Sequence, residues 1–113
     1  MILRTLALEP DFEPVGALPS ADALIEKIRD TLADIALLDL TMPGVDPLNA
    51  LRELTATGSP CRVIVMSGYD DPDTVASAMD AGAWGFVSKH REIPDIIHAI
   101  RTVAAGAICL PKT

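Results

Sequence analysis

Three short apolar runs in this chain each end in a polar residue that could do chemistry. Ile35-Ala36-Leu37-Leu38 runs into Asp39, Val63-Ile64-Val65-Met66 into Ser67-Gly68, and Trp84-Gly85-Phe86-Val87 into Ser88-Lys89. A carboxylate can act as a nucleophile or hold a hard cation. A hydroxyl can donate a hydrogen bond to an anion, and an ammonium group can neutralise one. A carboxylate at the C-terminal end of a buried strand also stands where open α/β sheets hold their ligands. Each residue has a plain structural reading as well. Asp39 could cap a turn, Ser67 could satisfy a backbone group at a strand end, and Lys89 could be solvated. The chemistry depends on whether the fold brings the three together.

The elements between the runs carry helix signals. Asp46-Pro47 and Asp71-Pro72 each pair an N-cap residue with proline at the first helical position, where the missing N–H is tolerated. Leu48, Leu51 and Leu54 form one helical face, and Val75, Ala78 and Met79 another, with Gly58 and Gly82 as their stops. Pro94 opens a last helix carrying Ile93, Ile96, Ile97, Ile100 and Val103, with Gly106 after it. Ser20 can cap an earlier helix carrying Leu24, Ile25, Ile28 and Leu32. Residues 12–17 are a weaker strand, interrupted by Pro14 and so placed at a sheet edge. Strand and helix alternating at this spacing imply βαβ units and a parallel sheet. Right-handed crossovers would then put Asp39, Ser67 and Lys89 at one rim.

With 113 residues the chain is one domain, and its formal net charge of -7 argues against a nucleic-acid-binding face. Met1-Ile2-Leu3-Arg4 opens an apolar stretch too short for a secretory signal. No apolar segment reaches the roughly 20 residues of a membrane span. Cys61 and Cys109 are isolated and read as reduced thiols of a cytoplasmic protein, with a disulfide as the alternative.

The ordered motifs Leu37-Leu38-Asp39-Leu40-Thr41-Met42-Pro43-Gly44, Val63-Ile64-Val65-Met66-Ser67-Gly68-Tyr69-Asp70-Asp71 and Ala81-Gly82-Ala83-Trp84-Gly85-Phe86-Val87-Ser88-Lys89 resemble the receiver domain of bacterial two-component response regulators. The resemblance covers residues 3–111. It implies an α/β, flavodoxin-like parallel sheet with helices on both faces and a role in phosphorelay signal transduction. It also implies roles for matched positions. Asp39 matches the phosphoacceptor that takes a phosphoryl group from a histidine kinase and helps hold Mg²⁺. Ser67 matches the hydroxyl that contacts the phosphoryl group, and Lys89 the lysine that pairs with it. Phe86 matches the aromatic position whose rotamer follows the hydroxyl, although a plain core role suits it equally. Catalysis would belong mainly to the kinase, the receiver promoting at most its own phosphorylation and dephosphorylation. Residues 9–13 and 104–111 are most similar to the subgroup whose receivers precede a LuxR-type helix-turn-helix. That implies a transcriptional output and a possible homodimer, with no DNA-binding element within residues 1–113 and no direct nucleic-acid contact by them.

The departures from the family bear on mechanism. Family receivers begin with a strand ending in two adjacent acids that hold Mg²⁺ together with the phosphoacceptor. Here residues 1–8 match the later part of the first helix, so the domain reads as N-terminally truncated, lacking that strand. The implied metal site is weak, with Asp39 its clear ligand. The implied sheet has an inner gap that a shifted strand, another segment or another chain must fill. Residues 2–8 could instead be that strand, with Glu9 and Asp11 as substitute acids, but parallel neighbours need a crossover of a dozen or more residues. Pro47 replaces a usual glycine, and His90 a frequent proline. His90 and His98 read as surface residues, and Trp84 as a residue packed on a helix.

Three functions from different classes compete. The first is a phosphoacceptor switch. The second is a phosphorylation-independent interaction or dimerisation module, favoured by the missing acids. The third is a phosphohydrolase of the haloacid dehalogenase type, which needs a second acid two residues after its nucleophile, where this chain has Thr41. No Gly-rich loop supports a nucleotide-binding fold.

Overall fold

A computed structural model of the chain describes residues 24–40, 46–68, 71–88 and 93–110. Seven elements alternate along them: α1 (Leu24–Thr31), β1 (Ile35–Asp39), α2 (Pro47–Ala56), β2 (Arg62–Ser67), α3 (Pro72–Asp80), β3 (Gly85–Ser88) and α4 (Ile93–Ala104). The three strands form a parallel sheet in the order β1-β2-β3. The register pairs Leu38 with Val65 and Asp39 with Met66, then Val65 with Phe86 and Ser67 with Ser88. The residues read above as a helix (2–8) and as an edge strand (12–17) lie outside the described residues, as do Glu9 and Asp11.

Strand alternation splits the core in two. Leu38, Val63, Val65 and Phe86 face one side, where they pack with Leu24 and Ile28 of α1, Leu51 and Leu54 of α2, and Ala78 of α3. Ile64, Met66 and Val87 face the other, against Ile96, Ala99, Ile100 and Val103 of α4. Among the described residues the sheet is therefore covered by three helices on one face and one on the other, and β2 is buried on both. That explains why its sequence is a continuous apolar run rather than an alternating one.

The helix ends follow their signals. Asp46 accepts a hydrogen bond from the Leu48 N–H at 3.0 Å. Asp71 accepts from the Thr74 N–H at 3.1 Å and the Thr74 hydroxyl at 2.8 Å. These bonds hold the exposed Asp71 carboxyl below its ordinary range, the hydroxyl bond contributing most. At the C-terminal end of α3, Gly82 takes φ 112°. Its N–H donates to the Met79 carbonyl and the Ala83 N–H to the Ala78 carbonyl, each at 3.1 Å, which is a Schellman motif.

Leu32 departs from the helical face assigned to it by spacing. The helix stops at Thr31, and Leu32 is 82% exposed. It takes φ 54° and donates its N–H to the Ile28 carbonyl at 2.9 Å, closing the helix in the left-handed conformation that glycine normally supplies. The reason is geometric: β1 begins three residues later, and a further helical turn would carry the chain past the sheet.

Candidate functional site

Asp39 and Ser67 are the last residues of adjacent parallel strands, at the same rim of the sheet. Asp39 pairs with Met66, one position before Ser67. With strands about 4.8 Å apart and a rise of about 3.3 Å per residue, their Cα atoms stand about 6 Å apart. The ladder continues one step past β1, the Leu40 N–H donating to the Met66 carbonyl at 3.0 Å. That bond fixes how the chain leaves the strand just after the carboxylate. Asp39 is half-buried, whereas Ser67 is 1% exposed.

Alternation assigns the two side chains to different faces. Asp39 shares parity with Ile35 and Leu37, which pack toward α4. Ser67 shares parity with Val63 and Val65, which pack toward α1–α3. They can serve one site only because both strands end there, so that a group on Asp39 stands above the rim rather than beside the sheet. Lys89 follows the last residue of β3 in the chain and lies outside the described residues, as do His90 and Thr41. His98 is exposed on α4. Phe86 is 1% exposed on the α1–α3 face, the face to which parity also assigns Ser67.

Ser88 is a rim residue that the motif reading passed over. It is the register partner of Ser67 and is 2% exposed. Its position two residues after Phe86 was the available signal, since it places both side chains on one face. Asp39, Ser67 and Ser88 each have an interaction partner, so none is a free group. Among the described residues no group of three or more His, Cys, Asp or Glu could hold a metal ion. Asp39 offers one carboxylate at the rim. Mg²⁺ takes one or two carboxylates and completes its octahedron with waters and phosphoryl oxygens. Asp39 therefore fits such an ion as a single ligand.

The opposite rim carries a cluster that composition and spacing did not show. The Arg62 guanidinium lies 4.6 Å from the Trp84 ring centroid. Its Nη1 donates to the Val103 carbonyl at 2.9 Å and the Ala104 carbonyl at 3.3 Å. A cation thus closes the C-terminal end of α4, where carbonyls with acceptor capacity to spare and the helix dipole favour it. Cys61 and Cys109 are free thiols, packed with the α1–α3 cluster and the α4 cluster respectively. Among the described residues, no helix is long and apolar enough to cross a membrane.

Comparison with known proteins places this arrangement. The family model of the response regulator receiver domain matches residues 1–101. The transcriptional regulatory protein DegU of Brevibacillus brevis is 32% identical over 112 residues, 98% of this chain and 48% of its own length. The nitrate/nitrite response regulator protein NarL of Escherichia coli strain K12 is 30% identical over 111 residues, 98% of this chain and 51% of its own. The chain thus spans about half the length of these curated relatives. Among solved structures, the signal receiver domain of NarL from Mycobacterium tuberculosis is 33% identical with a TM-score of 0.87, covering 93% of this chain and 85% of that one. The isolated REC domain of RcsB from Salmonella enterica serovar Typhimurium, solved with the phosphomimetic BeF3−, has a TM-score of 0.86 at 22% identity, a likeness of fold alone. It covers 98% of this chain and 83% of that one. The family model covers most of the chain and these relatives match it along nearly its whole length, so the chain belongs to the response regulator receiver domain family.

Proposed function

We propose that Asp39 is the phosphoacceptor of this receiver and that a histidine kinase is its donor. The observation that carries the reading is the register of β1 and β2, which sets Asp39 and Ser67 on neighbouring strand ends in a chain of this family. A carboxylate oxygen of Asp39 attacks phosphorus, the P–N bond to the kinase histidine breaks, and an acyl phosphate forms on Asp39. The product adds about -1.5 to -2 charge and three acceptor oxygens. Ser67 donates its hydroxyl to one of those oxygens, a charge-assisted bond. Lys89 supplies an ammonium group to another. A Mg²⁺ ion held by Asp39, when bound, supplies further neutralisation of the phosphoryl oxygens.

The output is transcriptional in this proposal, as it is for the relatives, in a cytoplasmic regulator of which this segment is the receiver and which can homodimerise. The domain is a switch and at most assists its own phosphorylation and hydrolysis. The test is incubation with Mg²⁺ and acetyl phosphate, followed by intact mass. One phosphoryl adduct on the wild type and none on Asp39→Asn is the expected result. No adduct on the wild type, or an equal adduct on Asp39→Asn, rejects it.

A second reading is an interaction module that does not respond to phosphate, with Asp39 as a plain strand-end residue. Under it, Mg²⁺ titration perturbs no amide near Asp39. Micromolar Mg²⁺ binding at that residue removes its basis.

A further inference from the structure

Two polar residues are buried among the described residues, Ser67 at 1% exposed and Ser88 at 2%, and they are register partners at the ends of β2 and β3. The other buried side chains of the three strands are apolar. A hydroxyl taken out of water costs free energy unless it is hydrogen-bonded, and at this rim the fold buries one on each of two adjacent strands. Alternation sends both side chains to the α1–α3 face: Ser67 shares parity with Val63 and Val65, and Ser88 with Phe86. Both residues have interaction partners already. A hydroxyl offers one proton and two lone pairs, so it can serve more than one partner.

Neighbouring strands lie about 4.8 Å apart, so the Cβ atoms of a register pair on one face are about 5 Å apart. Two hydroxyls turned toward each other close that gap to about 2.8 Å, an ordinary O–H···O distance. Asp39 stands differently toward Ser88. Its side chain leaves the other face, and β2 lies between β1 and β3, which puts two strand spacings, about 10 Å, between them. Ser88 therefore reaches a group on Asp39 through Ser67 rather than by contact.

We propose that Ser88 is a positioning residue for Ser67: with a phosphoryl group on Asp39, the Ser88 hydroxyl donates to Ser67 Oγ while Ser67 donates its own proton to a phosphoryl oxygen. The proton count closes, because Ser67 gives its one proton outward and accepts on a lone pair. The bond from Ser88 also aims that proton, since the side of Ser67 Oγ that faces β3 is then taken. Chains of hydrogen bonds polarise one another, so a hydroxyl that accepts is the stronger donor. The inference deepens the reading of Asp39 as phosphoacceptor and rests on it.

The experiment measures beryllofluoride affinity in the presence of Mg²⁺, beside the acetyl phosphate mass assay, for the wild type, Ser88→Ala, Ser88→Thr, Ser67→Ala and the double alanine variant. Ser88→Ala should weaken beryllofluoride binding about 3- to 10-fold, the effect of one hydrogen bond. Ser88→Thr keeps the hydroxyl and should bind as the wild type does. In the Ser67→Ala background, Ser88→Ala should cause no further loss, because the group it acts through is gone. An equal loss in both backgrounds means that Ser88 acts on the fold or on the anion directly, and overturns the proposal. So does a Ser88→Ala affinity equal to that of the wild type. Either result, with an Asp39 adduct on the wild type, leaves the phosphoacceptor reading intact. No adduct on the wild type overturns that reading and this one with it. Should Ser88→Ala fail to fold, Ser88→Cys takes its place: its thiol is a weak donor, and it should lose the affinity that Ser88→Thr keeps.

Discussion

The two rims of this sheet are built differently. At the C-terminal rim the strands end in Asp39, Ser67 and Ser88, polar groups set beside one another with Ser67 and Ser88 almost fully buried. At the N-terminal rim the ends are tied down: the Arg62 N–H donates to the Asp34 carbonyl at 2.9 Å, and the Trp84 N–H to the Val63 carbonyl at 2.8 Å. The Arg62 side chain then clamps α4. One rim gathers a carboxylate and two hydroxyls, and the other joins a cation to a ring and a helix end. Substitutions at the first should therefore alter phosphoryl uptake with little change in stability, and substitutions at the second should do the reverse.

The largest effect is expected at the clamp. Arg62→Ala removes hydrogen bonds from a charged donor to two helix-end carbonyls and a cation–π contact, and should lower stability by about 2–3 kcal/mol. The urea midpoint should fall while beryllofluoride affinity stays near wild type. Arg62→Lys keeps the charge but loses the planar stacking and should lie between the two. A stable Arg62→Ala protein that has lost beryllofluoride binding would erase the division between the rims.

A comparable loss is expected at Gly82, on the turn between α3 and β3. Its φ of 112° disfavours any side chain, and a Cβ there would run into the Thr55 side chain. The Thr55 hydroxyl is also occupied, its one proton shared between the Leu51 and Ala81 carbonyls at 2.9 Å each. Gly82→Ala should cost about 2 kcal/mol by chemical denaturation. Pairing it with Thr55→Ala should recover the steric part and leave the backbone part. Full recovery would mean that the backbone angle carries no strain.

A gain is expected at Leu32. An exposed leucine at φ 54° pays a left-handed penalty of about 1–2 kcal/mol that glycine avoids. Leu32→Gly should raise stability by about 0.5–1 kcal/mol, less than the penalty because glycine also loses more chain entropy on folding. A lower urea midpoint would show that the leucine side chain does packing that its exposure hides.

Leu32 also marks how far the sequence could be read. The three strands, the order of elements and the caps at Asp46 and Asp71 were legible, because apolar runs, Asp-Pro pairs and terminal glycines are local signals. The end of α1 was not, since a four-residue spacing from Ile28 to Leu32 continues on paper after the chain must turn toward β1. Asp39 and Ser67 were legible as strand-end residues, and topology alone placed them at one rim. Their assignment to opposite faces needed the register, as did the pairing of Ser67 with Ser88. Arg62 gave no signal at all: its partners are Trp84 and the carbonyls of Val103 and Ala104, far along the chain and partly backbone. The parallel bridge between Cys109 and Gly85 was hidden for the same reason, since backbone hydrogen bonds carry no side-chain signature.

The last effect is a pH dependence at the clamped rim. Cys61 is buried next to β2, and burial, with a smaller push from the Asp34 carboxylate, raises its thiol from 9.0 to about 11. The folded protein keeps the proton that the unfolded chain releases first. The stabilisation is therefore whole below pH 9 and is lost as pH rises toward 11. Asp39 and Ser67 lie at the far rim, so phosphoryl chemistry should not report this titration. Stability measured by urea at pH 8, 9 and 10 should fall with a slope that Cys61→Ala removes after correction for its lower baseline. The Cys109 thiol, raised by a lesser burial, should react faster with iodoacetamide at pH 8 than Cys61. Equal alkylation rates would mean that the N-terminal rim opens as readily as the C-terminal segment. The clamp of Arg62 on α4 would then not be what holds that end of the sheet closed.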